Sequence, residues 1–292
     1  MATHIPPTAT DNPTSPQAPP QAETQETQDL PSAPSPPSPS HQITHSTTPT
    51  PPSSFHAIQA LLAPFNTLFN TLVSSLRHPL ITHIDLTLPV HDSPLPYPIY
   101  TFHAAPLAFA RGAAAFPAAT PAALQRALQK LDLCDVSVHM MRGHAQRVLD
   151  GVGARVSWVV VCGVPRFLVR YGFEEAGLSF HSVCLVSTAG GEEFVADFTL
   201  EQFGYPQDRW FMRWDEYRDG MCEDEGKVAD QEWVDFTEKL SQGENLYVLR
   251  QALNEACKCV GDEVFRGLEE GEREGYVKKC ALKAVEVWDV DE

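Results

Sequence analysis

The sequence has no apolar run of about 18 residues, the length at which a helix can cross a bilayer. Its start, MATHIPPTAT, has neither a basic stretch nor an apolar core, so we expect no signal peptide there. The seven cysteines are odd in number and scattered, which does not fit a disulfide framework. These absences predict an intracellular protein of a reducing compartment, the cytoplasm or the nucleus, with no membrane partner.

Basic residues are also scarce, with 21 Lys and Arg against 38 Asp and Glu and a net charge of −17. Much of the excess lies in residues 201–292, which hold 24 acidic and 12 basic side chains. An acidic surface repels phosphate backbones and anionic lipid surfaces. The charge therefore predicts no nucleic-acid partner and gives no support to membrane binding.

Residues 1–53 have almost no large apolar side chains and contain 14 of the 25 prolines. Such a segment cannot bury enough surface to offset chain entropy, so we predict that it is disordered. Within it, PSAPSPPSPS has the PxxP spacing that proline-reading domains bind. The tail is therefore either a ligand for such a partner or an inert spacer.

Residues 55–76 carry apolar side chains at steps of three and four, which predicts an amphipathic helix. Pro64 lies inside this stretch and is expected to kink the helix or restart its first turn. Two interpretations of the helix are open. Its apolar face either packs on the core of the domain or docks a partner.

The order of the following elements predicts an α+β fold. Pro121 suits the first turn of a short helix, and a longer amphipathic helix begins at Cys134 and can end at Gly151. RVSWVVVCG, LSFHSVCLVST and EEFVADF are typical of strands, with AGG as a hairpin turn between the last two. Acidic helices follow over 228–258 and 272–286. The predicted regions are a disordered tail (1–53), a core (54–206) and an acidic helical extension packed on the core (207–292).

Two polar side chains interrupt the apolar hairpin HSVCLVSTAGGEEFVADFTLEQFG: His181 at its start and Asp197 near its end. If the turn centres near Ala189, the two residues lie opposite each other with their side chains on one face. A shift of one residue would place them on opposite faces. A carboxylate beside an imidazole fixes its tautomer and raises its basicity. The hairpin therefore predicts the orienting pair that a catalytic nucleophile needs.

The candidate nucleophile is Cys134, the first residue of the predicted long helix. Free N–H groups and the helix dipole stabilise a thiolate at a helix N-terminus. The same amides are suited to bind an oxyanion. Cys134, His181 and Asp197 together therefore predict a catalytic triad.

Three stretches, CDVSVHMMRGHAQRVLDGVGARV, HSVCLV and VADFTLEQFG, resemble the transglutaminase-like branch of the papain-like cysteine enzymes. In that branch a Cys starts a helix, a His lies on a later strand, and an Asp on the next strand often belongs to a D-x-T-x-x-Q-F phrase. The resemblance covers about residues 120–206. It implies a cysteine-bearing helix packed on an antiparallel sheet. By carry-over, Cys134 is the nucleophile, His181 the general base and acid, and Asp197 the residue that orients His181.

We therefore predict a thiol-dependent acyl-transfer enzyme: a peptidase, an amidase or deamidase, or a transglutaminase-like enzyme. Its substrate is expected to be a protein or peptide. The alternative is an inactive member of the same fold that serves as a protein-binding module. Taken singly, Cys134 also fits a buried helix cysteine, His181 a satisfied strand histidine, and Asp197 a cap of the turn at Thr199.

Four further positions have two interpretations each. Gln202 either bonds loop backbone or lines the site, and the aromatic residues Trp210, Phe211 and Trp214 form either a pocket wall or part of the core.

No cofactor and no metal are predicted. His139 and His144 are five residues apart, which misses the four-residue spacing that places two ligands on one helix face. The pair Cys257 and Cys259 has no second pair at the spacing of a zinc site.

Overall fold

The computed structural model describes residues 54–89, 96–172 and 180–288. The predicted α+β class is confirmed, since these residues form helices, an antiparallel sheet and a smaller mixed sheet. The tail over 1–53, with its proline motif, lies outside the described residues. No helix in the described ranges is both long and apolar enough to cross a membrane.

The helices and strands follow one another along the described chain in the order below. They are α1 (Ser54–Ser75), β1 (Arg77–Thr87), β2 (Ile99–Arg111), α2 (Ala122–Gln129), α3 (Cys134–Leu149), β3 (Ala154–Cys162), β4 (Leu168–Tyr171), β5 (Phe180–Thr188), β6 (Glu193–Ala196), β7 (Phe211–Arg213), α4 (Trp214–Met221), β8 (Lys227–Val228), α5 (Gln231–Ser241), α6 (Glu244–Cys259), α7 (Glu263–Gly267) and α8 (Glu270–Trp288).

The strands form two sheets. The larger sheet is antiparallel, with the order β7-β6-β5-β3-β8. The smaller sheet has the order β1-β2-β4, in which β1 and β2 are antiparallel and β2 and β4 are parallel. Helix α3 packs against β3 and β5 of the larger sheet, so the residue at its N-terminus lies beside that sheet.

Alternate residues of the larger sheet face two different apolar clusters. In β3, Trp158 and Val160 face the main core, where α1, α3, α6 and α8 also pack. Val159 and Val161 face a smaller cluster on the other side, which the segment 200–221 completes. His181 of β5 pairs directly with Val161, so its side chain lies on the side of this smaller cluster.

Helix α1 confirms the amphipathic pattern of residues 55–76. Its apolar stripe, from Ile58 to Val73, is buried in the main core against α3, α6 and α8. Pro64 lies inside the helix, which continues through it. The buried stripe supports the interpretation that this face packs on the domain.

The alternation of Ile84, Leu86 and Leu88 predicts a strand over residues 80–90. The strand observed, β1, covers Arg77–Thr87 and is displaced by about three residues. Two register shifts between Pro79 and His83 interrupt its alternation, and Ile81 is the apolar residue that is buried. Leu86 and Leu88, which the pattern places on one face with Ile84, are exposed, and Leu88 lies beyond the strand.

The described residues 207–288 are mostly helical, as the acidic amphipathic pattern predicts. In addition, this region supplies β7 and β8 to the larger sheet, where they pair with β6 and β3. Its main helices, α6 and α8, bury apolar faces in the same core as α1 and α3. All described residues belong to one unit that covers 51–292.

Candidate active site

The hairpin of β5 and β6 brings His181 and Asp197 together, in a register that differs from the prediction. The strands pair Cys184 with Ala196. The register in which His181 would face Asp197 directly differs from this one by two residues. Because side chains alternate with a period of two, this shift keeps both residues on one face. The turn closes at Gly191, whose φ of +80° lies in the left-handed region that favours glycine.

Asp197 accepts hydrogen bonds on both oxygens of its carboxylate. Its Oδ2 atom lies 2.7 Å from His181 Nε2 and accepts a second bond from the Tyr217 hydroxyl at 2.9 Å. Its Oδ1 atom accepts from the backbone N–H of Thr199 at 3.0 Å. The carboxylate therefore caps the turn at Thr199 and holds the imidazole at the same time. Asp197 and His181 are each 1% exposed, so solvent does not screen their contact.

The environment of His181 favours its protonated form. Burial lowers the pKa of His181, but the charge and hydrogen bond of Asp197, together with the contact to Cys134, outweigh burial and raise the pKa from 6.5 to about 10. The raised pKa therefore favours the imidazolium, with its Nε2–H donated to Asp197.

Cys134 is the first residue of α3 and is 7% exposed. Its side chain lies beside the imidazole of His181 and contributes to the raised pKa of that ring. The preceding residue, Leu133, provides no side-chain cap, and the first backbone N–H that closes the helix is that of Ser137, which donates to Leu133 at 2.9 Å. The amides of the first turn of α3 are thus left for a ligand of negative charge beside the sulfur.

The three residues that the sequence pattern singled out therefore meet at one place. Cys134 comes from the start of α3, His181 from β5, and Asp197 from the position directly after β6. Asp197 is hydrogen-bonded to His181, and Cys134 lies close enough to the ring to raise its pKa. Their catalytic roles stay a prediction.

Gln202 lines this site rather than bonding loop backbone. Its amide Nε2 lies 3.0 Å from Nδ1 of His181 and 3.4 Å from the Thr199 hydroxyl. The residue lies in the short turn 200–203 and is 6% exposed. It contacts the imidazole nitrogen that Asp197 does not hold.

Two aromatic residues also belong to the site: Phe203, which ends the D-x-T-x-x-Q-F phrase, and Tyr217, which no sequence pattern marks. The edge of Phe203 meets the His181 ring, with centroids 4.7 Å apart. Tyr217 comes from α4 and is fully buried, and burial followed by the charge of Asp197 raises the pKa of its hydroxyl well above 10.0. The hydroxyl is therefore a permanent donor to Asp197.

The aromatic segment around residue 210 belongs to the core. Trp210 and Phe211 are buried in the main cluster. Trp214 packs on the smaller cluster, and its ring stacks on that of Tyr217 with the ring centroids 6.1 Å apart. Of the two interpretations, core packing is the one that their burial supports.

Asp135, the residue after Cys134, anchors the start of α3. Its Oδ1 accepts hydrogen bonds from the Ser182 hydroxyl and from Trp233 Nε1, the latter at 3.0 Å. Ser182 in turn accepts from Trp158 Nε1 at 2.7 Å. This chain of bonds ties the first turn of α3 to β5, β3 and α5, and so fixes the position of the Cys134 sulfur.

A buried ion pair next to the site stabilises the turn that carries Gln202. Lys130 Nζ is 2.5 Å from Glu201 Oε2 and 2.9 Å from the carbonyl of Phe198. Burial lowers the pKa of Lys130, and the nearby Glu201 opposes that shift. The pair joins the end of α2 to the turn that carries Gln202, so it holds that turn against the chain just before Cys134.

Stability is expected to depend on pH through His181. Its pKa in the folded state, about 10, is above the 6.5 of the unfolded chain. The stabilisation from its protonation is therefore complete below about pH 6.5 and is lost as pH rises through about 10. Urea unfolding of the wild type and of His181→Gln measures this: the difference in unfolding free energy should shrink across that range. A difference that stays constant would contradict the raised pKa.

Comparison of the chain with protein-family models, curated proteins and solved structures found no match.

Proposed function

We propose that this chain is a thiol-dependent acyl-transfer enzyme with a transglutaminase-like, papain-like core. The observation that carries the proposal is the convergence of three residues: Asp197 Oδ2 lies 2.7 Å from His181 Nε2, and Cys134 lies close enough to raise the pKa of His181. A buried carboxylate that holds one nitrogen of an imidazole, with a thiol at the ring, is the arrangement that activates a cysteine nucleophile.

The arrangement of elements supports the same family. The cysteine starts a helix that packs on an antiparallel sheet, the histidine lies on one strand, and the aspartate follows the neighbouring strand. This is the layout that the resemblance over residues 120–206 implies. It covers α3, β3, β5 and β6, while β1, β2 and the C-terminal helices lie outside it.

The proposed reaction has two steps. Cys134 Sγ attacks the carbonyl carbon of a peptide or carboxamide as a thiolate, while the His181 imidazolium beside it already carries the proton. The tetrahedral intermediate then collapses, the C–N bond breaks, and His181 returns the proton to the leaving amine or ammonia. In the second step, water or an amine attacks the thioester, gives its proton to the now neutral His181 and releases Cys134 as the thiolate, which restores the starting pair. Asp197 keeps its charge throughout and stabilises the imidazolium.

The first turn of α3 supplies the oxyanion site in this proposal. The backbone N–H groups of Cys134 and Asp135 precede the first closed helical bond, and Leu133 gives them no side-chain cap. Negative charge that develops on the substrate oxygen is stabilised by these amides and by the helix dipole.

Gln202 is proposed as an adjustable partner at Nδ1 of His181. The high pKa of His181 favours a ring protonated at Nδ1, whereas the amide nitrogen at 3.0 Å suits a neutral ring whose Nδ1 accepts. Both states are accommodated if the amide of Gln202 rotates by half a turn, because its oxygen then accepts from Nδ1–H. The protonated state is the one proposed at rest, because Asp197 is charged and lies closer to the ring than Gln202 does.

The expected substrate is a protein or peptide that presents a carboxamide or a scissile amide. The proposed location is the cytoplasm or the nucleus, where the free thiols of the described residues stay reduced. The proline-rich tail remains a proposed ligand for a proline-reading partner, and the acidic charge of the chain argues against nucleic acid.

One observation favours the alternative, an inactive fold that serves as a binding module. His181 and Asp197 are each 1% exposed and Cys134 is 7% exposed, so little of the triad meets solvent. A module of this kind would bind a basic protein through its acidic C-terminal region.

A mixture of glutamine-containing peptides with a small primary amine separates these functions. Peptidase activity cleaves the chain, deamidation converts glutamine to glutamate, and transfer attaches the amine; mass spectrometry distinguishes all three products. The enzyme proposal expects at least one product with wild type and none with Cys134→Ala. Equal product traces from both proteins across the peptide mixture would favour the binding module.

A further inference from the structure

The outer face of β1 and β2 carries a cluster of metal-ligating side chains, away from the triad. Within the described part of the chain, His83, Asp85 and His103 have ligand atoms that all lie within 4.8 Å of one another. They belong to the smaller sheet, whereas the triad belongs to the larger sheet and α3. The proposed acyl-transfer chemistry uses none of them.

Strand pairing accounts for the cluster. His83 of β1 is directly opposite His103 of β2, and Asp85 lies two residues further along β1. Residues two apart on a strand share a face, and directly opposite residues share it as well. The three side chains therefore converge because of the register, although His83 and His103 are far apart in the sequence.

The separations fit a small transition-metal ion. Asp85 Oδ2 lies 2.9 Å from His103 Nε2 and 3.9 Å from His83 Nε2. Tetrahedral zinc with ligand bonds of about 2.0–2.1 Å places neighbouring ligand atoms about 3.4 Å apart. The distances from Asp85 Oδ2 to the two Nε2 atoms lie on either side of that value. Changes of about half an ångström in each therefore bring the atoms to coordination geometry.

Thr82 favours the tautomer of His83 that coordination needs. Its hydroxyl donates to the carbonyl of His103 at 2.9 Å and lies 3.4 Å from Nδ1 of His83. With its hydrogen already donated, the oxygen can only accept from Nδ1–H, which leaves the Nε2 lone pair on the side of Asp85. A ligating histidine is commonly oriented by such a bond to its other nitrogen.

Binding requires one rearrangement. The rings of His83 and His103 are stacked, with centroids 4.0 Å apart and planes 4° from parallel. An ion bound by both Nε2 atoms lies near both ring planes, so the rings must rotate out of the stack. The side chains are 60% and 34% exposed, which leaves them room to do so.

We propose that His83, Asp85 and His103 form a site for a divalent transition-metal ion, with Zn²⁺ as the reference ion and water completing its coordination. Two imidazoles and one carboxylate select against Mg²⁺ and Ca²⁺, which prefer oxygen ligands. The bound ion joins β1 to β2. It thereby stabilises the smaller sheet. The added free energy of unfolding grows with the logarithm of the ion concentration once that concentration exceeds the dissociation constant.

Calorimetric titration of the full chain with ZnCl₂, under a non-thiol reductant, tests the site. Each of His83→Ala, His103→Ala and Asp85→Asn should weaken the binding step about tenfold or more. His144→Ala is the matched control, because His144 lies on α3 and contacts Arg147, outside the cluster. It should bind as the wild type does. Unchanged binding in all three cluster variants would overturn the proposal.

Titration with Co²⁺ separates this site from the cysteines. Coordination by nitrogen and oxygen gives weak visible bands, whereas thiolate ligands add an intense near-ultraviolet charge-transfer band. We expect the visible bands alone, and their loss in His103→Ala. A charge-transfer band that persists in His103→Ala would assign the metal to cysteine and refute the site. Urea unfolding of the variants without metal verifies that each one is folded.

Discussion

Replacing Cys134 with alanine is expected to abolish the fast reaction of this protein with iodoacetamide and to reduce acyl transfer by about three orders of magnitude or more. The reason is chemical, because the thiolate is the nucleophile and Cys134 lies beside a histidine whose raised pKa favours its protonated form. Peptide mapping by mass spectrometry after brief alkylation gives the rate at each cysteine separately.

Cys184 provides the matched control for that experiment. It lies on β5 three residues after His181 and is 1% exposed, and burial followed by the charge of Asp197 raises the pKa of its thiol to about 12. Burial likewise raises the pKa of Cys222, Cys257 and Cys259 to about 12. Cys184→Ala should therefore leave the fast phase unchanged. Fast labelling that survives in Cys134→Ala would remove Cys134 from the reaction.

Asp197→Asn is expected to slow alkylation of Cys134, and any acyl transfer, by about two to four orders of magnitude. The substitution keeps the shape of the side chain and removes its charge. Without that charge, burial dominates and lowers the pKa of His181, so the ring no longer stays protonated beside the sulfur. The amide also presents a donor where His181 and Tyr217 both donate, which disfavours the working tautomer.

Tyr217→Phe is the control for Asp197→Asn. It deletes one hydrogen bond to Asp197 and leaves the carboxylate charged. We expect it to cost about 1 kcal/mol of unfolding free energy and to change the alkylation rate by less than about tenfold. Alkylation quenched at set times gives the reaction rate of each variant, and urea unfolding gives its unfolding free energy. If Asp197→Asn reacts as fast as wild type while folded, Asp197 does not orient a catalytic histidine.

The parts of the site that the sequence predicts are those set by local periodicity. Helical spacing after Cys134 predicts the start of α3, and β5 and β6 follow from alternating apolar residues around AGG. The sequence also predicts that His181 and Asp197 lie on one face, because side chains alternate in direction along each strand. The observed register differs from the predicted one by two positions. It depends on hydrogen bonds within the turn, where the Thr188 hydroxyl accepts from the Glu192 N–H.

Long-range contacts account for what the sequence does not predict. Tyr217 reaches Asp197 only through the placement of α4, and nothing in the pattern WDEYRDGM marks that tyrosine as buried. The pair of Lys130 and Glu201 joins segments 71 residues apart. Strand β2 contains alanines and Pro106, which are depleted in strands, so its pairing with β1 leaves no strong signal. The cluster of His83, Asp85 and His103 exists only through that pairing.

The acyl-enzyme itself gives the most direct test of the central claim. Brief incubation with p-nitrophenyl acetate, followed by acid quenching and peptide mapping, locates any acetyl thioester. We predict an acetyl group on Cys134 that hydroxylamine removes, that is absent from Cys134→Ala, and that forms much more slowly in Asp197→Asn. Acetylation of other side chains with none on Cys134, in protein shown to be folded, would contradict the proposed triad.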